Sequence, residues 1–480
     1  MTGHTRINGR LESSDDELEA ALEQGHEARV ALAAMTPRRR REFMHAGADA
    51  MLAAADELVP LAQAETSLPE PRLRGELARA AFQFRLYGDA AATETTPEID
   101  LASDTAGPMP RPDLRRSTRP MGLVLVFEAS NFPFGFGVAG TDTSSALAAG
   151  CPVVAKAHSG HPRLAVATHR IVAQALEAAG APHGVLSLIR GRQAGITALR
   201  DRRVRAAAFT GSLAGGRHLF TIASEREDPI PFYGELGSLN PVIVGPAAAA
   251  ARAAEILGGY LDSFTLGAGQ FCTKPGLLFW PEQVPLGSDL TDRTKRVNLH
   301  PMLNEDLRQG YLATLNMLRG LDGVQTLAEG ADGGATLLQT SASELCVDPA
   351  ILTECFGPVS LVVTYASTED LQRALAEIHG TLTASVHADP EDDGWCQLLL
   401  PLLEERAGRL IWGGWPTGVA ISRAQHHGGP FPATTAPLHT SVGTHARDRF
   451  LRPITYQSFP ERYLPAQLRD RAPDGRSPTT

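Results

Sequence analysis

A cysteine in a glycine-flanked segment is the residue with the most evident chemistry in this sequence. Cys272 lies within GAGQFCTKPG, residues 267–276, and Lys274 follows it by two positions. Glycine and proline on both sides favour a tight loop, where a thiol near a positive charge can have a lowered pKa and act as a nucleophile. Most free cysteines are instead buried as small hydrophobic residues. The segment alone leaves both interpretations open.

A thiol nucleophile requires a base and a group that stabilises the developing oxyanion. Glu235, within FYGELGSLNP, follows an apolar run, so it is either a partly desolvated general base or a solvated turn carboxylate. Asn131, within EASNFPFGFG, comes just after the apolar run 121–127. A side-chain amide at the carboxyl end of a strand can donate to an oxyanion, although asparagine is also common in turns.

Two further segments indicate a nucleotide site. FTGSLAGG, residues 209–216, has the strand, glycine turn and helix pattern that can bind a phosphate, but it lacks the G-x-G-x-x-G fingerprint. Lys156 stands at the end of the apolar run VVAKAH, where ligands bind in open α/β sheets. Of the 44 basic residues, only Lys156, Lys274 and Lys295 are lysines. Because the chain otherwise uses arginine, this bias favours a specific role for Lys156 that arginine cannot fill. The alternative is a lysine that only extends from the strand end into solvent.

An alternation of helices and strands must position these residues. Leucine, alanine and methionine recur at three- and four-residue intervals over 15–87, which predicts helices. From residue 121 onward, short apolar runs alternate with helical patterns, which predicts a parallel, doubly wound sheet. A second α/β unit begins after about residue 235. The C-terminal arm FLRPITYQSFPERYLP is too short to stand alone and is expected to pack on another domain or subunit.

Composition narrows the class of protein. The 480 residues suffice for two or three domains, and the net charge of −10 argues against nucleic-acid or anionic-membrane binding. Five cysteines without a C-x-x-C pair argue against a disulfide framework or a structural zinc site. His426 and His427 have no matching ligand cluster, so a structural role is favoured and no metal is predicted. With no apolar run of 18 residues and no signal-peptide pattern, we expect a cytoplasmic protein.

Six ordered segments resemble the aldehyde dehydrogenase superfamily over roughly residues 120–460: SNFPF, the Lys156 strand, FTGS with Gly216, ELGSLNP, GQFC and ECFGPV. Within the superfamily, GQFCTKPG, GWPTGV, HGGPFPATT and the C-terminal arm are most similar to the α-ketoglutarate semialdehyde (2,5-dioxopentanoate) dehydrogenases. The resemblance implies NAD(P)-dependent oxidation of a small aldehyde to a carboxylate through a cysteine thiohemiacetal and thioester, with α-ketoglutarate as the expected product.

The resemblance also assigns roles to matching residues. It implies that Cys272 is the nucleophile and Glu235 the general base, and that Asn131 and the backbone N–H of Cys272 form the oxyanion hole. The residues that it places around the cofactor, from its ribose and pyrophosphate to the nicotinamide ribose, are Lys156, Ser159, Gly211, Ser212, Gly216, Glu354 and Phe356.

The implied fold class is α/β, with a Rossmann-like cofactor domain, an α/β catalytic domain and a small oligomerisation element. We place the N-terminal helices and cofactor domain in 1–234, with about 100–120 contributing to oligomerisation. The catalytic domain is placed in 235–425. Residues 426–480 are expected to return to the cofactor domain and end in an oligomerisation arm, in a homodimer or homotetramer.

The sequence departs from the superfamily pattern at two positions, of which the second bears on the cofactor. Ser130 stands where many members carry tryptophan before the oxyanion asparagine. Ser159, three residues after the cofactor lysine, stands where NAD-preferring members often carry a glutamate that binds the ribose 2′-hydroxyl. A small neutral residue there tolerates a 2′-phosphate, so we expect NADP to be preferred, with NAD also possible. Arg192 is a candidate partner for that phosphate, or a solvated loop arginine.

The substrate pocket is the least constrained part of the sequence. Arg423 is a candidate partner for a distal substrate carboxylate, with a surface or subunit contact as its alternative. Phe132, Phe136 and Trp415 could form apolar walls or could simply pack in the core. The competing functions are an aliphatic or fatty aldehyde dehydrogenase, a CoA-dependent acylating enzyme, and a catalytically silent structural or ligand-binding member of the fold.

Overall fold

The computed structural model describes residues 6–7, 10–93, 97–103, 107 and 109–470. Parts of the predicted ranges, including residues 1–5, 104–106 and 471–480, lie outside this description. The α-helices of the described residues are α1 (Asp15–Ala34), α2 (Pro37–Ala53), α3 (Ala55–Thr66), α4 (Glu70–Thr93), α5 (Thr141–Ala149), α6 (Pro162–Ala178), α7 (Arg192–Arg200), α8 (Leu213–Ser224), α9 (Pro246–Thr265), α10 (Gly287–Arg296), α11 (Glu305–Arg319), α12 (Ala342–Val347), α13 (Thr368–Glu377) and α14 (Asp393–Glu404).

The strands form three larger sheets and one short hairpin. They are β1 (Arg6–Ile7), β2 (Arg10–Leu11), β3 (Glu98–Asp100), β4 (Leu114–Pro120), β5 (Leu123–Phe127), β6 (Val153–Ala157), β7 (Leu186–Arg190), β8 (Val204–Thr210), β9 (Phe232–Glu235), β10 (Val242–Val244), β11 (Leu277–Pro281), β12 (Gln325–Glu329), β13 (Thr336–Ser341), β14 (Val359–Tyr365), β15 (Thr381–His387), β16 (Ala407–Trp412) and β17 (Leu451–Gln457).

The N-terminal helices pack together and against the first large sheet, as the periodicity over 15–87 predicts. Helix α1 begins with a capping box, in which the Ser14 hydroxyl accepts from Glu17 N and the Glu17 carboxylate accepts from Ser14 N. Phe43 on α2 and Phe84 on α4 are fully buried in one continuous core that also includes residues of β5 and β6. These helices therefore belong to the same packed unit as the first sheet.

The first large sheet has the strand order β7-β6-β5-β8-β9, and all of its strands are parallel. Every residue of β5 is buried, as expected for a strand covered on both faces. Helix α5 ends at Gly150, whose φ of 91° lies in the left-handed region that favours glycine. This arrangement confirms the predicted doubly wound α/β unit.

The second large sheet has the order β12-β13-β14-β11-β10-β15-β16, with β12 antiparallel and the others parallel. It begins at Val242, whereas Glu235 is the last residue of β9 in the first sheet. The boundary predicted at 234/235 therefore falls inside a strand of the first sheet. The link between the sheets is the segment 236–241, which lies beside the site described below.

A third sheet joins the C-terminal arm to the segment before β5. Strand β17 pairs antiparallel with β4, from Leu451 opposite Pro120 to Gln457 opposite Leu114, and β3 pairs with the other edge of β4. The arm thus packs on the first unit of the same chain. Its role in oligomerisation stays a prediction. Within the described residues, no helix combines the length and apolarity that crossing a bilayer requires.

The segment between β16 and β17 returns to the first sheet and closes over the end of β9. Leu236 N donates to Ala433 O over 2.8 Å, and Thr435 N donates to Gly234 O over 3.0 Å. On its other side the segment lies directly against β16: a Cβ on Gly408 would come within 2.0 Å of Gly428 O. Glycine at position 408 therefore permits a backbone approach that holds the returning segment in place.

We predict that Gly408→Ala destabilises the protein by about 1–3 kcal/mol, because the added methyl must displace backbone rather than a flexible side chain. The matched control is Gly394→Ala in α14, where nothing lies within 4 Å of the added Cβ. Alanine there should be neutral or should stabilise by about 0.5–1 kcal/mol. Urea unfolding of both variants measures the difference, and equal midpoints would contradict the close packing of 408 against 428.

Candidate active site

The loop that carries Cys272 is held from beneath by a buried asparagine. Asn240 Nδ2 donates to the carbonyl oxygens of Cys272 and Lys274 over 2.8 and 2.9 Å. Its Oδ1 accepts from Ser238 Oγ and Thr383 Oγ1 over 2.8 and 3.0 Å, and the residue has a φ of 47°. Asparagine tolerates this left-handed conformation better than most residues. The link between the two sheets thereby fixes the position of the thiol.

Cys272, Glu235 and His427 meet at one point. His427 Nε2 lies 2.8 Å from Glu235 Oε1 and 3.6 Å from Cys272 Sγ. Ser441 Oγ donates to the other carboxylate oxygen of Glu235 over 2.7 Å. Glu235 and His427 are 4% and 2% exposed, while Cys272 is half-buried. Both His427 contacts are made by the same nitrogen, so the group placed to accept the thiol proton is the Glu235 carboxylate, to which Cys272 also donates.

Burial and charge set the resting protonation of this trio. Burial by itself raises the pKa of Glu235, but the charge of His427 and hydrogen bonds from His427, Ser441 and Cys272 outweigh burial and lower that pKa. Burial and the neighbouring Glu235 carboxylate raise the pKa of the Cys272 thiol well above its usual range. The proton therefore rests on sulfur and the negative charge on the carboxylate.

The structure places the His427 imidazole against the Cys272 thiol and the Glu235 carboxylate. The structural role that the sequence favours for this residue stays a prediction. The expectation that the charge of Lys274 lowers the pKa of the thiol is wrong, because that pKa is raised. Lys274 Nζ donates to Cys355 O and Val359 O, each over 2.8 Å, so the ammonium group is tied to two backbone carbonyls and does not offset the carboxylate beside the thiol.

Asn131 lies next to the Cys272 loop, as the oxyanion prediction requires. Its Nδ2 donates to Gln270 O over 2.9 Å, and its own carbonyl oxygen accepts from Arg72 Nη2 over 2.7 Å. An amide nitrogen carries two N–H groups, and only one is needed for the bond to Gln270. The structure thus brings Asn131 to the nucleophile loop, while its role as oxyanion donor stays a prediction.

A cavity of about 320 Å³ adjoins this loop and contains residues that sequence reasoning missed. The Arg72 guanidinium lies 5.2 Å from the ring centre of Phe132 and 4.9 Å from that of Phe271. Its Nη1 is buried and makes no hydrogen bond to the described protein atoms. The spacing of Arg72, Glu76 and Arg79, by four and three residues, places all three on one face of α4. This spacing is the sequence signal from which the charged face of the cavity could have been predicted. The cavity is lined by Arg72, Gly75, Glu76, Arg79, Phe132, Leu266, Gly267 and Phe271.

Three other predicted pocket residues have different surroundings. Phe136 packs edge-on against Phe132 and is buried, so it supports the wall rather than forming it. Trp415 packs against His387 and Tyr260, with ring centres 4.6 and 6.2 Å away. It therefore contributes to the hydrophobic core between α9 and the second large sheet. Arg423 is exposed in the segment after β16 and does not line the cavity. The cations of the cavity come instead from α4.

The predicted cofactor residues of the first sheet line one cleft of about 650 Å³ at the carboxyl ends of its strands. Lys156, Ser159, Arg192, Gly211 and Ser212 all face this cleft. Helix α8 begins after Ser212, whose hydroxyl accepts from Gly215 N and caps the helix. A helix N-terminus and a lysine at strand ends suit an anionic dinucleotide, so the lining residues fit the cofactor that the resemblance implies.

Gly216 is not among the residues that line the cleft, and its contact with the cofactor stays a prediction. It belongs to the first turn of α8 rather than to the glycine turn, and a Cβ there would come within 2.0 Å of Leu236 Cδ2. Its lack of a side chain allows α8 to pack closely on the segment after β9. Gly211 and Ser212 remain the candidates for contact with the pyrophosphate.

Glu354 and Phe356 lie on the loop that Lys274 holds. Burial raises the pKa of Glu354, against the attraction of Lys274 and a hydrogen bond from the backbone N–H of Ser238. Burial also lowers the pKa of Lys274, which is only 3% exposed. The lysine therefore stabilises the loop that carries two predicted cofactor residues, and it links that loop to the nucleophile loop.

The comparisons with known proteins agree with this geometry. The model of the aldehyde dehydrogenase family matches residues 4–395. The chain is 41% identical to an α-ketoglutaric semialdehyde dehydrogenase 2 of Azospirillum brasilense, over 95% of this chain and 90% of that one. It is 39% identical to an α-ketoglutaric semialdehyde dehydrogenase of Acinetobacter baylyi, over 95% and 89% of the two chains.

Solved structures show the same fold. A betaine aldehyde dehydrogenase of Staphylococcus aureus, crystallised with NAD⁺, matches with a TM-score of 0.78 at 19% identity, over 94% of this chain and 90% of that one. The proline utilization A protein of Bradyrhizobium japonicum matches with a TM-score of 0.77 at 21% identity, over 93% of this chain and 46% of that one.

This chain belongs to the aldehyde dehydrogenase family. It is an oxidoreductase that acts on aldehydes, with the α/β fold of that family and NAD(P) as the family's cofactor.

We predict that Lys274→Met lowers the free energy of unfolding by roughly 2–4 kcal/mol, because two buried carbonyls lose their only charged donor. The control is Lys295→Met on the exposed side of α10, which should change stability by less than about 0.5 kcal/mol. Urea unfolding midpoints check both values. Equal midpoints would contradict the assignment of Lys274 as the link between the two loops.

Proposed function

We propose that this enzyme oxidises α-ketoglutarate semialdehyde to α-ketoglutarate. The observation that carries the proposal is the Arg72 guanidinium, which packs on Phe271 of the nucleophile loop. Its Nη1 is buried and donates to no acceptor among the described protein atoms. A guanidinium in such a place suits a substrate whose far end is a carboxylate. The names of the Azospirillum and Acinetobacter relatives support the same substrate.

The proposed reaction begins with the thiol proton. Because the Cys272 thiol and His427 both donate hydrogen bonds to the Glu235 carboxylate, the carboxylate can take the thiol proton as sulfur attacks the aldehyde carbon, and this proton passes to solvent before hydrolysis begins. The new C–S bond turns the carbonyl oxygen into an oxyanion, which Asn131 Nδ2 and the backbone N–H of Cys272 would stabilise. Transient transfer of this proton is favoured over a standing thiolate, because the carboxylate disfavours a second negative charge.

Oxidation and hydrolysis complete the proposed cycle. A nicotinamide dinucleotide held in the cleft lined by Lys156 and Ser212 would supply the hydride acceptor for oxidation at the carbon bound to Cys272, which leaves a thioester. Glu235, ionised and buried, then takes a proton from a water molecule whose oxygen attacks the thioester carbon. The C–S bond breaks, the product acid leaves as a carboxylate and a proton, and Glu235 returns the proton that it took from water to the Cys272 sulfur.

The pocket also supports recognition of the distal carboxylate. Phe132 and Phe271 hold the Arg72 side chain between them, so little conformational freedom is lost when a substrate anion binds. Arg79 adds a second positive charge in the same cavity, and its Nη1 donates to Val419 O over 3.1 Å. Glu76 Oε1 accepts from Phe134 N and Gly135 N, while its Oε2 is buried and has no hydrogen bond to the described protein atoms. Burial raises the pKa of this carboxyl group, which weakens its competition with a substrate anion for Arg72.

We expect Arg72→Met to lower kcat/KM for α-ketoglutarate semialdehyde by roughly ten- to a hundredfold, the value of one buried charge-assisted bond. A neutral aliphatic aldehyde of similar length should lose far less. The control is Arg74→Met, which removes a surface arginine of the same helix that pairs with Glu70 and Asp56. Equal losses on both aldehydes would show that Arg72 serves only to hold Asn131. A preference of the unchanged enzyme for the neutral aldehyde would contradict the proposed substrate.

We further propose that NADP is the preferred cofactor. Ser159 offers a small neutral side chain in the cleft, and Arg192 at the start of α7 faces the same space. Burial raises the pKa of Glu128 to about 8, against the opposing effects of His158 N and Lys156. This carboxyl group is therefore mostly uncharged at neutral pH and does not repel a 2′-phosphate.

Ser159→Glu should shift the ratio of kcat/KM values toward NAD by at least about tenfold, because a carboxylate repels the 2′-phosphate and accepts from a ribose hydroxyl. Ser159→Ala, which stays small and neutral, should keep the NADP preference. Steady-state kinetics with both cofactors measures the ratio. A large NAD advantage in the unchanged enzyme would overturn the proposal.

The remaining features of organisation are also proposals. The three-stranded sheet formed by β3, β4 and β17 is proposed as the oligomerisation element of a homodimer or homotetramer. Each of the five cysteines carries a free thiol, which supports a reducing, cytoplasmic compartment.

A further inference from the structure

The three reacting side chains of the proposed mechanism also form a set of metal ligands. The thiol sulfur of Cys272, an imidazole nitrogen of His427 and a carboxylate oxygen of Glu235 all lie within 4.8 Å of one another. Thiolate, imidazole and carboxylate are the three side-chain groups that bind Zn²⁺ in proteins. We propose that this trio is a reversible, inhibitory Zn²⁺ site. That the bound ion inhibits the enzyme rests on the proposed function, whereas the binding of the ion does not.

The distances suit a tetrahedral ion. Zn–S and Zn–N bonds of about 2.3 and 2.0 Å at a tetrahedral angle separate the two ligand atoms by about 3.5 Å, and Cys272 Sγ and His427 Nε2 are 3.6 Å apart. The 2.8 Å between His427 Nε2 and Glu235 Oε1 must widen by about half an ångström, since the ion replaces the proton that the pair now shares. Three ligands leave the fourth position for water.

Charge balance favours the bound ion. Glu235 and His427 are buried and Cys272 is half-buried, so the ion would lie in a largely enclosed place. Zn²⁺ binding releases the thiol proton, so the thiolate and the carboxylate together neutralise the two positive charges of the ion. A neutral buried cluster avoids the cost of an uncompensated charge.

The groups around the trio limit the affinity. Ser441 Oγ donates to the second oxygen of Glu235 and would orient the carboxylate in the complex. His427 Nδ1 is buried and makes no hydrogen bond to the described protein atoms, so the ring lacks the outer partner that strengthens most zinc histidines. The site is therefore built for reversible occupancy rather than for a permanent structural ion.

Occupancy has one clear chemical consequence. The ion holds the nucleophile and the general base at the same time, so aldehyde addition and thioester hydrolysis both stop until it leaves. Zn²⁺ should therefore inhibit the enzyme, protect Cys272 from alkylation, and be removed by a chelator.

The test uses the full-length enzyme and the metal alone, without aldehyde. Equilibrium dialysis with Zn²⁺, and titration with Co²⁺ read by its thiolate charge-transfer absorption, should give one ion per chain. His427→Asn should weaken binding by about tenfold or more, the usual loss on removing a metal ligand or its support. His426→Asn, which changes the neighbouring histidine outside the trio, should bind as the unchanged enzyme does. Cys272→Ser should abolish the charge-transfer band, which keeps the test decisive if His427→Asn fails to fold.

The contrary results are equally definite. Unchanged Zn²⁺ affinity in His427→Asn, a charge-transfer band that persists in Cys272→Ser, or bound Zn²⁺ that leaves the rate of iodoacetamide alkylation of Cys272 unaltered would each overturn the proposal. Because none of these measurements needs substrate turnover, an enzyme that fails to oxidise α-ketoglutarate semialdehyde and still binds the ion would refute only the proposed function.

Discussion

A buried carboxylate charge is the constraint on which the rest of this site depends. Glu235 is 4% exposed, and its pKa is nonetheless lowered, because His427 and Ser441 supply hydrogen bonds at 2.8 and 2.7 Å. An unpaired charge at this depth would cost several kcal/mol. Both partners lie on the segment that returns from the second sheet, so the site forms only when that segment closes over the end of β9. The contact between Gly408 and Gly428 is part of this closure.

The same constraint joins the chemistry to the two sheets. Glu235 ends a strand of the first sheet, whereas Cys272 precedes β11 of the second, and Asn240 in the link between the sheets holds the Cys272 loop. The Glu235 charge raises the pKa of the thiol, which keeps Cys272 protonated until an aldehyde arrives. In the proposed mechanism the thiol therefore loses its proton as sulfur attacks, and no thiolate is present beforehand.

Much of this architecture can be predicted from sequence, and the failures have physical causes. Strand β5 is buried on both faces and helix α5 ends at a left-handed glycine, so local patterns suffice for them. The place of His427 at the site could not be found in this way, because it depends on a contact with Glu235, which is 192 positions away in sequence. The cavity beside Arg72 was missed because the sequence of α4 is that of an ordinary amphipathic helix. Its arginine becomes part of a pocket only through contacts with Phe132 and Phe271, which are distant in sequence. Lys274 was noticed for its rarity, but its side chain turned out to bind backbone carbonyls.

The ionised state of the buried Glu235 carboxylate is best tested by the pH dependence of kcat in the unchanged enzyme, Glu235→Gln and His427→Leu. Because His427 helps to lower the pKa of Glu235, His427→Leu should raise that pKa and move the acidic limb of the kcat profile to higher pH. Glu235→Gln should lose nearly all turnover at every pH. An unmoved acidic limb in His427→Leu, or steady turnover in Glu235→Gln, would contradict the proposed role of this carboxylate.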